Sequence, residues 1–229
     1  MKLVITQSNY IPWKGYFELI AGADRAVIYD EVQYTKNDWR NRNMIKTPKG
    51  KEWITIPVRQ ESLDQRICDT QVAFAKWNRK HLGTLQANYA KAGAYSEVRD
   101  MVFGWYEVES SLLSEINMHF IRNICNYLHI GTELTDSRSL GLQGDRNERL
   151  IDACKKSGAD TYLSGPAARD YIDSRLFSEA GIAVEWMDYD GYPEYGQLHP
   201  PFEHGVSVLD LIFNEGTRSR ELFRRTAER

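Results

Sequence analysis

With 229 residues the chain is long enough to bury a sizeable core without disulfide or metal staples, and its 42% apolar and 27% charged content is that of an ordinary globular protein. The 29 basic and 32 acidic residues leave a net charge of −3. This excludes binding of long nucleic acid or an anionic membrane through the overall field, so recognition of an anion has to be local. The chain also carries 6 Trp, 13 Tyr and 8 Phe, rings that gather in cores and around ligands, and 3 Cys with no C-x-x-C pair, which excludes a disulfide scaffold or a zinc cage. No apolar stretch approaches the roughly 18 residues of a membrane span. The apolar run after Lys2 stops at Ile5, so no secretory signal is expected and the cytoplasm is the expected compartment.

In chain order, Lys2 to Thr6 reads as a strand. A polar loop follows, and then a helix that starts at Pro12, continues through Trp13, Tyr16, Phe17, Leu19 and Ile20, and stops at Gly22. Arg25 to Tyr29 reads as a second strand, which closes a parallel βαβ unit with a right-handed crossover. Residues 44–58 read as a hairpin turning at Pro48-Lys49-Gly50. Trp77 to Ala92 and Asp100 to Ile130 read as helices. In the second, Trp105, Val108, Leu112, Ile116, Phe120, Ile124 and Leu128 recur at steps of three or four. Arg146 to Ser157 is a further amphipathic helix. A second βαβ unit follows, with a strand at Asp160 to Ser164, a helix at Ala167 to Ala180 ending at Gly181, and a strand at Ile182 to Met187. Near the end, Ser207 and Asp210 fit a helix capping box and Gly216 a helix stop. The expectation is one α/β domain over residues 1–229. It would be a mostly parallel, Rossmann-type sheet with flanking helices, a hairpin and a helical insert at about 77–130.

Ligands of open parallel sheets bind beyond the carboxyl ends of the strands. Three loops satisfy that rule: Gln7 to Trp13, Asp30 to Lys36, and Ser164 to Asp170. They offer Gln7, Asn9, Tyr10, Trp13, Gln33 and Lys36 as substrate contacts. The adjoining Trp39-Arg40-Asn41-Arg42-Asn43 combines guanidinium groups that fork onto phosphate oxygens with an indole that stacks on a base or sugar. Ser164-Gly165, just ahead of a helix, would present free N–H groups to an anion. As general base the candidates are Asp30, His81 and His204. The five histidines lack metal-ligand spacing, so neither metal nor cofactor is expected. No Walker A, dinucleotide, nucleophile-elbow or zinc-protease motif is present.

Several stretches together resemble the WbqC-like family of bacterial proteins. These are Asn9-Tyr10-Ile11-Pro12-Trp13-Lys14-Gly15-Tyr16-Phe17, Asp30-Glu31-Val32-Gln33-Tyr34 through Asn43, Tyr162 to Ala167, and Ser207 to Asn214. The resemblance implies a role in O-antigen or related surface polysaccharide biosynthesis, with a nucleotide-linked sugar as small-molecule substrate. The reaction expected from it is acyl or aminoacyl transfer to an amino sugar, and an acyl carrier protein is a candidate partner. The family brings no settled catalytic residues. Trp13-Lys14-Gly15-Tyr16 is also similar to the H-x-G-H helix start of nucleotidylyltransferases, with Trp13 and Tyr16 where the histidines stand. Two alternatives therefore accompany the transferase reading: a nucleotidylyltransferase-like enzyme with a degenerate motif, and a non-catalytic binding or scaffold protein of the same pathway.

Overall fold

A computed structural model describes residues 1–223. Its elements are β1 (Lys2–Thr6), α1 (Lys14–Ala21), β2 (Arg25–Ile28), β3 (Arg42–Thr47), β4 (Gly50–Thr55), β5 (Val58–Arg59), β6 (Gln71–Val72), α2 (Trp77–Tyr89), α3 (Tyr95–Gly104), α4 (Leu113–Tyr127), β7 (Glu133–Asp136), α5 (Arg146–Ser157), β8 (Thr161–Ser164), α6 (Ser174–Glu179), β9 (Ala183–Trp186) and α7 (Val208–Glu215). Five strands form one parallel sheet in the order β7-β2-β1-β8-β9, while β3 pairs with β4 and β5 with β6 as antiparallel ribbons. The molecule is thus α/β with helices on both faces of a Rossmann-like sheet.

Strand alternation sorts the two faces. On β1, Val4 joins one apolar cluster while Leu3 and Ile5 join the other; on β2, Ala26 and Val27 split the same way. The first face is covered by α1, α4 and α7, and α2 and α3 extend that cluster. The helical segment between residues 77 and 127 is therefore packed onto the sheet. The second face is covered by α5 and α6 through Leu150, Ala153, Cys154 and Phe177. The two βαβ units run outward from the sheet centre in opposite directions. Right-handed crossovers then place α1 and α6 on opposite faces and leave a crevice at the carboxyl ends of β1 and β8.

Several expected boundaries shift, each for a local reason. The long helix expected over 100–130 is two helices. Ser110 Oγ accepts the Leu112 N–H at 3.0 Å, and the backbone of 111–113 is drawn into bonds with Thr70 and Val72, so the chain turns before α4 begins. The helix expected over 167–180 is a short 3₁₀ turn, Pro166–Asp170, followed by α6, which starts afresh because Asp173 caps the Arg175 N–H. The strand β7, with only Leu134 apolar, pairs at the sheet edge and gave no hydrophobic run to read. Ser207 caps α7 through the Leu209 N–H, but Asp210 turns inward instead of completing a capping box. No helix among the described residues is long and apolar enough to cross a membrane.

Candidate functional site

The crevice at the β1–β8 junction encloses about 800 Å³. Its floor is Thr6 and Gln7 at the end of β1, Tyr29 just after β2, and Ser164 and Gly165 at the end of β8. Trp13 and Tyr16 at the start of α1 form one wall; Arg146 and Arg149 on the first turns of α5 form another. Arg40 reaches in from the loop that precedes β3, and its guanidinium donates to Gln7 Oε1 and Asn9 Oδ1. Arg149 Nη1 donates to the Tyr29 hydroxyl at 3.2 Å, and the Arg146 guanidinium lies 3.6 Å from the centre of the Tyr171 ring. Held this way, three guanidinium groups line one cavity before any ligand arrives.

Two carboxylates share the crevice. Asp145 is committed to capping α5, taking the Glu148 N–H at 3.0 Å in a full capping box. Asp38 accepts from the Thr35 hydroxyl and the Trp39 N–H and lies 3.8 Å from Arg40. Burial would raise its pKa, but the Thr35 hydrogen bond and the Arg40 charge outweigh burial and hold the carboxyl below its ordinary range. A smaller slot of about 320 Å³ adjoins the crevice. Trp13 is common to both, and Trp39 and Asn43 line the slot's far side.

The loop that carries these groups is strained and bolted down. Ile11, fully buried, sits at φ 37°, a left-handed conformation costly for a β-branched residue. Its neighbours are tied by hydrogen bonds from the Tyr10 N–H to Trp39 O and from Asn43 Nδ2 to Tyr10 O. Gly15 has no room for a side chain: an added Cβ would fall 2.2 Å from the Trp13 ring. The Gly15→Ala variant is expected to displace the indole, shift the tryptophan emission and weaken any ligand that contacts Trp13, although alanine is the better helix former by about 1 kcal/mol.

Of the residues expected from sequence, Gln7, Trp13, Gln33, Arg40, Ser164 and Gly165 line the crevice, and Asn9, Trp39 and Asn43 border the slot. The others lie elsewhere. Tyr10 and His81 are buried in the core on the α2 side. The His81 Nε2–H donates to Thr55 O at 2.9 Å, which leaves Nδ1 to accept from the Tyr10 hydroxyl at 2.8 Å. With its lone pair spent and no path to solvent, His81 is not a base for the crevice. Asn41 is buried and donates to Ile56 O, and Arg42 leans on the Trp53 ring at 4.0 Å and donates to Asn37 O; both stitch the hairpin. Lys36 borders a shallow outer depression. His204 is exposed and packs its ring on Phe202, outside the crevice. Asp30 is one residue beyond Tyr29, so strand alternation turns its carboxylate away, into a separate cavity. Gly165 precedes only a single 3₁₀ turn and Ser164 Oγ bonds to Tyr162, so the helix-dipole anion site expected there is absent.

Sequence reasoning missed Arg146, Arg149 and Tyr29. The signal was the polar side of α5: two arginines three residues apart in its first turns, next to a strand end. The three cysteines are free and buried, with burial pushing the Cys125 and Cys154 thiols up to about 12, which removes them as nucleophiles.

His81 makes a prediction of its own. Burial lowers its pKa from 6.5 to about 4, against the opposing Thr55 hydrogen bond. Between those values the unfolded chain binds the extra proton. Stability is therefore complete above pH 6.5 and is lost on acidification towards pH 4, by on the order of 3 kcal/mol. In denaturant titrations between pH 7 and pH 5, His81→Gln should be less stable at neutral pH yet lose less on acidification.

The model of the WbqC-like protein family matches residues 7–222, which takes in the crevice loops, the hairpin and α1 to α7. The chain belongs to the WbqC-like family. This WbqC-like protein is also 45% identical over 225 residues, 97% of each chain, to a protein of Mycobacterium tuberculosis (strain ATCC 25618 / H37Rv) described as uncharacterized protein Rv1507c. No solved structure matches it. Family membership suggests a role in polysaccharide biosynthesis.

Proposed function

We propose that the crevice binds a nucleotide-activated sugar, and that the protein is a transferase placing an acyl or aminoacyl group on the amino sugar of that ligand. The observation that carries this reading is the convergence of Arg40, Arg146 and Arg149 on one cavity at the carboxyl edge of a parallel sheet. A diphosphate offers oxygens to several guanidinium forks at once, and the net charge of −3 argues for a compact anion over a polymer. The volume of about 800 Å³ suits a ligand of that size. The Trp13–Trp39 slot beside it gives the sugar an apolar face to lie against.

In this reading the amine attacks the carbonyl of an acyl thioester, the C–N bond forms as the C–S bond breaks and the thiol leaves, and Asp38 takes the proton that the amine sheds. It is the crevice carboxylate not spent on a helix cap, and like any carboxylate it is ionised at neutral pH. Calorimetric titration with nucleotide sugars and with the matching nucleoside diphosphates tests the binding half; silence across the set would sink the proposal. For the chemical half, Asp38→Asn is expected to lower kcat by about 10²-fold or more with a much smaller change in KM.

A further inference from the structure

A second cavity, of about 280 Å³, opens at the neighbouring strand ends, those of β2 and β7. One side is Asp30 and the Asp136–Arg138 pair. The other is α4, from which Ser114, Glu115 and Arg122 line the cavity, with Glu115 and Arg122 seven residues, or two turns, apart on its exposed side. The Asp30 carboxylate is 6% exposed and its Oδ1 accepts the Ser8 N–H at 2.8 Å. Glu115 is exposed near the start of the helix, where a negative charge is favoured; Arg122, also exposed, lies towards its end. Arg138 is pinned to Asp136, with Nη2 2.6 Å from Oδ2. Ser114, 6% exposed, has a buried Oγ with no hydrogen-bond partner among the described residues, a cost the fold carries unless something else supplies the bond.

The charges decide what fits. Asp136 and Arg138 neutralise one another, so a lone anion would face the carboxylates of Asp30 and Glu115, and a lone cation would face the guanidinium of Arg122. Among the described residues no group of three or more His, Cys, Asp or Glu is placed to hold a metal ion. The volume lies just below the roughly 300–1,000 Å³ of sites for larger ligands. We propose that this cavity binds a small zwitterion of the amino-acid class, its ammonium group towards Asp30 and Glu115, its carboxylate towards Arg122, and a hydrogen bond completed at Ser114 Oγ. Such a ligand answers both signs of charge at once. The site is one strand over from the arginine crevice, across a wall in which Asn117 Nδ2 donates to Ser8 Oγ at 3.1 Å and to Arg40 O at 2.8 Å. It stands whether or not the crevice binds a nucleotide sugar.

The test uses the full chain, with calorimetry and thermal unfolding in the presence of each standard L-amino acid, and with methylamine and acetate as single-charge probes. At least one amino acid should bind and raise Tm, and neither single-charge probe should match it. Arg122→Gln and Glu115→Gln, both exposed on α4, are each expected to weaken that binding by about tenfold or more, with the far-UV spectrum unchanged. The idea is overturned if no amino acid binds the wild-type protein, if acetate or methylamine binds as well, or if both variants bind like wild type.

Discussion

Replacing both Arg40 and Arg149 by alanine should lower affinity for a nucleotide sugar by about 10²–10⁴-fold, since each charge-assisted hydrogen bond contributes roughly 1.5–3 kcal/mol. Both guanidinium groups line the crevice, and both are already held: Arg40 by Gln7 and Asn9, Arg149 by Tyr29. That preorganisation means the ligand does not carry the cost of ordering two long side chains. Lysine at either position should restore only part of the loss, because an ammonium has the charge without the planar fork. Calorimetry reads the effect, and Arg149→Ala alone is the control, because that side chain lies at the rim while Arg40 is partly buried. Unchanged affinity in the double variant would mean that the crevice does not bind through its arginines.

The largest effect on stability is expected at Asp210. Its carboxylate, fully buried on α7, accepts from the Tyr89 hydroxyl at 2.9 Å, the Tyr195 hydroxyl at 2.7 Å and Gln197 Nε2 at 2.7 Å. These donors come from α2 and from the irregular segment after β9, so one side chain joins three parts of the chain. Asp210→Ala leaves the Tyr89 and Tyr195 hydroxyls without their acceptor and takes one acceptor from Gln197, which also donates to Glu203 O, and should cost about 3–5 kcal/mol. At roughly 2–4 °C per kcal/mol for a chain of this size, Tm should fall by roughly 6–20 °C. Burial also raises the pKa of Asp210, against its hydrogen bonds to Tyr195, Gln197 and Tyr89, so its ionised form is held at some cost. Asp210→Asn removes that cost and keeps one acceptor oxygen, and should be markedly milder. Thermal unfolding of the two variants side by side makes the comparison; equal losses would show that volume, not donor satisfaction, matters at this position.

Much of the architecture was legible because local chemistry and tertiary packing agree there. The α5 boundaries stand in the sequence as an Asp145 cap and a Gly158 stop in the left-handed conformation, and β1 and β8 stand as apolar runs that end in polar loops. Where the two disagree, reading failed. The heptad-like run over 100–130 is compatible with one helix or two, and backbone bonds to the β6 region, far away in sequence, chose two. An edge strand such as β7 has no fully buried residue and little apolar content, so its partner, not its composition, reveals it.

The candidate site divides along the same line. By itself the sequence determined the βαβ units, the strand ends from which ligand-binding loops must spring, and the presence of Arg40 and Trp13 in those loops, because strand length, helix caps and turn residues are properties of adjacent positions. Only the tertiary structure decided which side of each strand end a residue faces and what comes to meet it. Tyr29 and Asp30 are neighbours in sequence, yet the pleat sends one to the arginine crevice and the other to a separate cavity. Arg146 and Arg149 join Arg40 only because the crossover through α5 carries the chain from one edge of the sheet back past its centre.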